Sequence, residues 1–377
     1  MVDATSDPAK AQMSDDGRDN QLNEDVLLQA WAKLAVYDQT ATALKNQSIE
    51  RRQVVIVLTA TATVFAVLTG IIRYWQAALA FSIIAVSLPI IGTYLMNDII
   101  KFTGTTDWIK YRYTAEMMRM HIYLYRMKAE RYAEAKGPIH KMDSALSDAL
   151  REVRESVKWD GVLPPTVKEA VKDDAIKAFI VDANFYTPRD NGLSEINIDD
   201  YMEWRVDDQK EWYDRKVGED FEQMKLFFRL AQVALLAGSL AGGLAGYLSF
   251  DLVTIIAITN AIAAALTSWS NTSLYGTTYS IFRLTSQQLS DIKMAWTARL
   301  DDEEMQDEAY RKQETARFAQ EVENILLWER EEWYELMLQT QAANDKVILE
   351  DLKHLSERAE TTRKQGMEDD PADAPTS

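Results

Sequence analysis

The sequence contains no cysteine, so disulfides, thiolate metal sites and cysteine nucleophiles are excluded. Histidine is nearly as scarce: His121, His140 and His354 lie far apart, and none has a neighbour at metal-ligand spacing. His121 sits within an amphipathic pattern and reads as a surface or interface residue. There is no Walker loop, dinucleotide-binding glycine fingerprint, nucleophile elbow or zinc motif. Positive charge is in deficit, with Lys+Arg 41 against Asp+Glu 59 and a formal net charge of −18, which argues against nucleic acid as a partner. Acidic runs at Asp207-Asp208, Asp301–Glu304 and Glu329–Glu332 read as solvated helix faces. The expectation is a protein that is not an enzyme and has no catalytic residues, cofactor or metal.

Charge itself is missing from four long apolar stretches, Val54–Ile72, Ala77–Asn97, Leu230–Phe250 and Leu252–Tyr275. Each is long enough to cross a hydrocarbon core of ~30 Å, which takes roughly 20 apolar residues in a helix. They form two tight pairs, separated only by Arg73–Gln76 in the first and little more than Asp251 in the second. The first begins after fifty polar residues, so it is not a cleaved signal peptide. Lys45, Arg51 and Arg52 precede the first pair and Lys101, Lys110 and Arg112 follow it; Lys225 and Arg229 precede the second, and Arg283 and Lys293 follow. The positive-inside rule then puts both termini and the middle segment in the cytoplasm. The fold class is therefore an all-α membrane protein with four transmembrane helices in two tandem two-span hairpins, N-in/C-in. No segment is long and strand-rich enough for a sheet.

Landmarks recur around the two pairs in the same order. Tyr37-Asp38 and Tyr213-Asp214 lie before them, and Gly104-Thr105-Thr106 and Gly276-Thr277-Thr278 lie after, which reads as an internal repeat. The domain plan is a disordered acidic tail at 1–22, a first two-span unit at 23–135, a cytoplasmic helical connector at 136–197, a second two-span unit at 198–345, and a mostly disordered tail at 346–377. In the connector, Pro164-Pro165 starts a helix expected over Thr166–Tyr186.

The cytoplasmic flanks carry helical periodicity. Trp108, Tyr111, Ala115, Met118, Ile122, Tyr125, Ala129 and Tyr132 step by three and four, which predicts a coiled-coil seam. Trp212, Tyr213, Phe221 and neighbours form a stripe running into the third span, and Trp333 belongs to a third amphipathic helix. These aromatics read as helix–helix core, with the spans extending into a cytoplasmic bundle.

Inside the third span, Gly238, Gly242 and Gly246 fall at i, i+4, i+8, a spacing that lets helix backbones approach closely. Weakly polar residues share faces: Thr59 and Thr63 in the first span, Gln232 and Ser239 in the third, Asn260 and Thr267 in the fourth. Two roles stand open for them: hydrogen bonds between helices, or the wall of a water-filled path in an assembled oligomer. No Asp, Glu, Lys or Arg lies within the spans, which weakens the case for an ion-coupled transporter.

The run Asp207-Asp208-Gln209-Lys210-Glu211-Trp212-Tyr213-Asp214-Arg215-Lys216 before the second pair resembles the lead-in of bacterial SLATT-domain proteins. Glu321-Val322-Glu323-Asn324 and Glu329–Trp333 resemble that family's C-terminal helix. Trp108, Tyr111-Arg112 and Ala115-Glu116 look like a more divergent copy, although Val36-Tyr37-Asp38 stands where the second unit has Trp212-Tyr213-Asp214. The resemblance implies two tandem copies of a two-span effector module of bacterial defence. It implies a pore-forming or membrane-perturbing role at the bacterial inner membrane and a nucleotide-signalling or sensor partner protein; the expectation is a homo-oligomer in the lipid bilayer, gated through its cytoplasmic helices by a signal or partner. A non-conducting membrane scaffold that docks other proteins, or a regulated ion channel, fits the same residues.

Overall fold

The computed structural model describes residues 8–69, 72, 74–98, 107–134, 140–157, 190–244 and 253–368. Among them all regular structure is helical, and there is no sheet. Helix α1 spans Pro8–Thr69, α2 Trp75–Asp98, α3 Asp107–Arg126, α4 Arg131–Glu134 and α5 His140–Ser156. A short α6, Ile198–Tyr201, runs through a π-helical turn at Met202–Asp207 into α7, Asp208–Leu244. Then come α8, Val253–Thr272, α9, Tyr275–Arg299, a 3-10 turn at Glu303–Gln306, and α10, Glu308–Glu368. Between Arg18 and Thr69 there is neither proline nor glycine, so nothing in the sequence interrupts α1.

Helix α1 starts inside the stretch read as a disordered tail, and α10 carries 346–368, also read as largely disordered, as helix. For α10 the cause is packing: Ile348 and Leu352 are buried against Val55 and Met96. The expected helix at Thr166–Tyr186, the landmark Gly104-Thr105-Thr106 and Gly246 lie outside the described residues.

Three of the described helices are long and apolar enough to cross a membrane: Val26–Thr69, Gln76–Asp98 and Ile198–Gly243. Helix α8 is a further apolar helix of 20 residues without Asp, Glu, Lys or Arg.

The described chain divides into two compact units, each assembled from three separated segments rather than from one tandem half. The first comprises Met1–Ala43, Asp107–Arg215 and Ile281–Glu335, and the second Leu44–Thr106, Lys216–Ser280 and Leu336–Ser377.

In the first unit, α3 is the central helix. Of its 20 residues 16 are buried, so it presents no single coiled-coil seam; it is enclosed on all sides. Trp31 of α1 meets Tyr123 edge-on at 6.2 Å, Tyr37 meets Tyr111 at 5.8 Å, and Trp108 meets Trp333 of α10 at 5.7 Å. Arg126 closes the end of α3 by holding residues 190–196. Its guanidinium forks onto Asp190 at 2.8 and 2.5 Å, and its Nε donates to the Ser194 carbonyl at 2.9 Å. The turn this creates places Gly192 at φ 70, a region where a side chain is strained, and offers the Gly192 carbonyl to Trp31 Nε1 at 2.8 Å.

The second unit contains two antiparallel hairpins. In α1–α2, Arg51 pairs with Asp98 and Phe65 packs on Phe81 at 5.1 Å. In α7–α8 and the start of α9, Phe221 packs on Tyr279 at 5.4 Å and Phe227 stacks on Trp269 at 6.3 Å. Farther along α7, a Cβ added at Gly238 would collide with the Thr259 hydroxyl, and one at Gly242 would stand 3.1 Å from Ile256 Cδ1. The small residues are what allow the two backbones to approach.

Gly238→Leu is therefore expected to destabilise the hairpin by about 1 to 3 kcal/mol through overpacking. Gly243→Leu, where an added Cβ meets nothing within 4 Å, is expected to be neutral. Thermal unfolding of the full-length chain in detergent measures the difference between them.

Candidate functional site

The apolar stripes of the first unit carry charged residues at core positions. On α10, Ala319, Val322 and Leu326 are buried apolar neighbours of Glu323, Glu329 and Arg330, which are buried as well. The π-helical turn before α7 widens the helix by one residue and brings Arg205 inward with Tyr201 and Val206.

Arg205 and Glu323 form a bidentate pair, with Nε to Oε1 at 2.8 Å and a terminal nitrogen to Oε2 at 2.9 Å; each side chain is 1% exposed. Tyr201 donates its hydroxyl to the same Glu323 Oε1 at 3.1 Å, and the Arg205 guanidinium lies 4.8 Å from the centre of the Tyr123 ring. Arg330 stands between two carboxylates, 3.8 Å from Glu323 and 3.9 Å from Glu116, and its other terminal nitrogen is buried with no hydrogen bond. Glu116 of α3 is further held by Arg112 at 2.7 Å and Arg119 at 3.1 Å, and Arg112 continues to Asp38 of α1. Tyr213 donates to Glu329 Oε2 at 3.1 Å.

The two central glutamates are driven in opposite directions. Burial raises the Glu116 carboxyl, but Arg119, Arg112, Arg330 and Arg205 outweigh it and hold the group well below the usual carboxylate range. For Glu329 burial wins: opposed by Arg330 and the Tyr213 hydrogen bond, and reinforced by Glu116, it pushes the carboxyl up to about 7. His121 is not at the surface; it is buried, 3.2 Å from the Tyr132 hydroxyl, and burial followed by Arg131 lowers it to about 4, so it is neutral at pH 7.

The sequence-predicted aromatics fall around this network. Trp108 and Trp333 meet each other, Tyr111 meets Tyr37, Met118 is buried, and Tyr125 donates to Asp143 Oδ1 at 2.6 Å. Trp212 packs on Phe282 at 5.2 Å, and Tyr213 packs on the same ring at 5.4 Å. Phe221 lies in the second unit instead, partly exposed beneath the Lys225 ammonium at 5.0 Å. The two Tyr-Asp landmarks make parallel contacts: Tyr37 and Asp38 meet Tyr111 and Arg112, whereas Tyr213 and Asp214 meet Phe282 and Ser286.

The polar residues of the spans behave differently. Thr59, Thr63, Ser239 and Thr267 each donate to a carbonyl of the preceding turn: Val55, Thr59, Leu235 and Ala263. Their hydroxyl protons are satisfied within the helix. Gln232, Ser239 and Asn260 are exposed. Helix α7 therefore has a close-packed face at Gly238 and Gly242 and an open, weakly polar face along Gln232, Ser239 and Gly243.

Sequence reading missed the ion network because Glu329–Glu332 was taken as one solvated run. The structure buries Glu329 and exposes Glu331 and Glu332. The available signal was register: Glu323 lies three residues before the apolar position Leu326 and Arg330 four after it, on the same side of the helix. Among the described residues no cluster of His, Cys, Asp or Glu could hold a metal.

Removing one member of the buried pair strands the other. Arg205→Met is expected to cost about 3 to 5 kcal/mol, while the double change Arg205→Met/Glu323→Leu recovers most of it, as denaturant unfolding of the two variants measures. Glu329 binds its proton more tightly when folded than its ordinary value of 4.5 allows, so its contribution falls as pH rises from 4.5 to about 7. Glu329→Gln, which keeps an acceptor for Tyr213, is expected to remove that slope and to stabilise the chain at pH 8 by about 1 to 3 kcal/mol. Melting temperature against pH, compared with the unsubstituted chain, checks both points.

Two stretches match described families. Residues 201–333 match the SMODS and SLOG-associating 2TM effector domain 1 (SLATT_1), and residues 32–138 match a protein family of unknown function, DUF4231. No curated protein and no solved structure matches the chain. The reading of two tandem SLATT copies is thereby corrected: residues 32–138, read as the first copy, match a different family. The lead-ins of the two stretches also differ in their contacts: Tyr37 meets a tyrosine and Asp38 an arginine, where Trp212, Tyr213 and Asp214 meet a phenylalanine and a serine. The chain thus carries a SLATT_1 domain at residues 201–333 and a DUF4231 domain at residues 32–138.

Proposed function

We propose that this protein is an oligomeric, pore-forming or otherwise membrane-perturbing effector of the bacterial inner membrane, and that it acts without catalysing a reaction. In this reading α8 is a fourth span beside the three longer candidates, and both termini and the middle segment are cytoplasmic by the distribution of Lys and Arg. The observation that carries it is the α7–α8 hairpin, which lies inside the stretch matching a two-transmembrane effector family. It turns a glycine face inward and leaves Gln232, Ser239 and Gly243 open. The rest of the α7 surface suits lipid, since Phe228, Val233, Leu236 and Leu240 are all exposed.

The first unit is the receiving part. Helices α1, α7 and α10 each supply residues to both units. The family description names association with SMODS and SLOG proteins. A nucleotide-signalling or sensor partner of that kind is the proposed trigger.

Reconstitution of the purified chain in dye-loaded liposomes tests the proposal. Leakage that rises with protein density, together with an oligomer by mass, is expected. Gln232→Leu/Ser239→Leu is expected to reduce leakage without reducing membrane incorporation. A strict monomer that leaks under no condition overturns it in favour of a non-conducting scaffold, and ion-selective current without dye passage points to a regulated channel.

A further inference from the structure

On α10, Ile348 and Leu352 are buried and close a small core with Val55 of α1 and Met96 of α2. Leu352 also presses on Gly92 of α2, where an added Cβ would stand 3.0 Å from Leu352 Cδ2. Just before this contact, Arg52 is fully buried, donating to Asp345 Oδ1 at 2.9 Å and to Ser48. From Asp345 to Leu352, α10 therefore climbs from the charged rim of the α1–α2 hairpin along its apolar flank. Its outer face is charged: Lys346, Lys353, His354 and Glu357 are each more than half exposed.

Depth makes this contact incompatible with a fully spanning hairpin. The Arg51–Asp98 pair marks the rim. From Asp98 to Gly92 the helix rises about 9 Å, and from Leu352 to Glu357 about 7 Å more. With a hydrocarbon core of ~30 Å starting near that rim, exposed Lys353, His354 and Glu357 would stand in lipid, where charge is strongly disfavoured. The stretch Val54–Ile72 has no length to spare, so the hairpin cannot avoid the conflict by beginning its span higher up.

We propose that residues 345–357 of α10 form a strap that covers the flank of the α1–α2 hairpin in a resting state, and that this strap leaves before the hairpin crosses the bilayer. The strap and lipid compete for Val55, Gly92 and Met96. Departure also uncovers Arg52 at the rim, where its guanidinium can reach the phosphates of lipid headgroups. The proposal rests on reading α1 and α2 as membrane spans.

The absence of cysteine makes the test clean. In the full-length chain, Gly92→Cys/Leu352→Cys is oxidised to a disulfide that locks the strap. Ile83→Cys, an exposed position on α2, reports insertion by its protection from a membrane-impermeant maleimide. The protein is added to vesicles of phosphatidylethanolamine and phosphatidylglycerol. Labelling at position 83 is expected in the locked form and is expected to fall about tenfold on reduction. Ile348→Asp/Leu352→Asp, which puts charge into the strap's buried face, is expected to give protection with no lock, since it shifts the equilibrium about tenfold or more. Equal protection in the locked and reduced forms overturns the strap while leaving the membrane reading intact. Full labelling in every form, the Asp variant included, overturns both.

Discussion

A charge enclosed by protein has to meet its counter-charge, and in the first unit that requirement centres on the Arg205 fork over Glu323. Turning Glu323 away by a rotation of α10 would leave the buried Arg205 guanidinium without its carboxylate. The pair therefore fixes the register of α10 against the π-helical turn, and other contacts follow from that register. Tyr201 reaches Glu323 and also meets Phe318 edge-on at 6.4 Å, Tyr123 lies beneath the guanidinium, and Arg330 is brought between Glu323 and Glu116. Such a network contributes more to specificity than to net stability.

The second unit works under the opposite constraint. Its described charge pairs stand near the hairpin ends, as Arg51 with Asp98 and Arg52 with Asp345 do, and farther along the helices gain from closeness. Gly238 and Gly242 supply that closeness against Thr259 and Ile256, while aromatic contacts such as Phe227 on Trp269 occur nearer the ends. The long helices change character along their length. Helix α7 carries Tyr213, bonded to Glu329, in its first turns and Gly238 in its last. Helix α10 carries Glu323 in one unit and Leu352 in the other. One helix thus contributes to a polar core in the first unit and to an apolar one in the second.

Much of this was legible in the residues. Charge-free stretches announce helices long enough to span, because hydrocarbon tolerates neither charge nor unpaired backbone groups. Aromatic residues at three- and four-residue spacing announce packed helices, and Trp108, Tyr111 and Tyr213 are indeed buried. The i, i+4 glycines announce a close approach. Less legible was which carboxylate in a run turns inward, since Glu329, Glu331 and Glu332 look alike to any composition measure. Nor did the sequence mark α3 as a helix enclosed on all sides: Lys110, Glu116 and Arg126 are interior positions that its pattern would place at the surface.

What the sequence determined alone is local or additive: helix, apolar length, the lead-in that resembles the SLATT family, and the lack of thiols. Each follows from the chemistry of neighbouring residues. Tertiary structure decided the rest: the Arg205–Glu323 pairing, the opposed protonation of Glu116 and Glu329, and the seating of Ile348 and Leu352 against Val55 and Met96. These depend on residues far apart in the chain, some by more than a hundred positions. Burial and Coulomb energy act on where groups stand in space, and no local pattern encodes that.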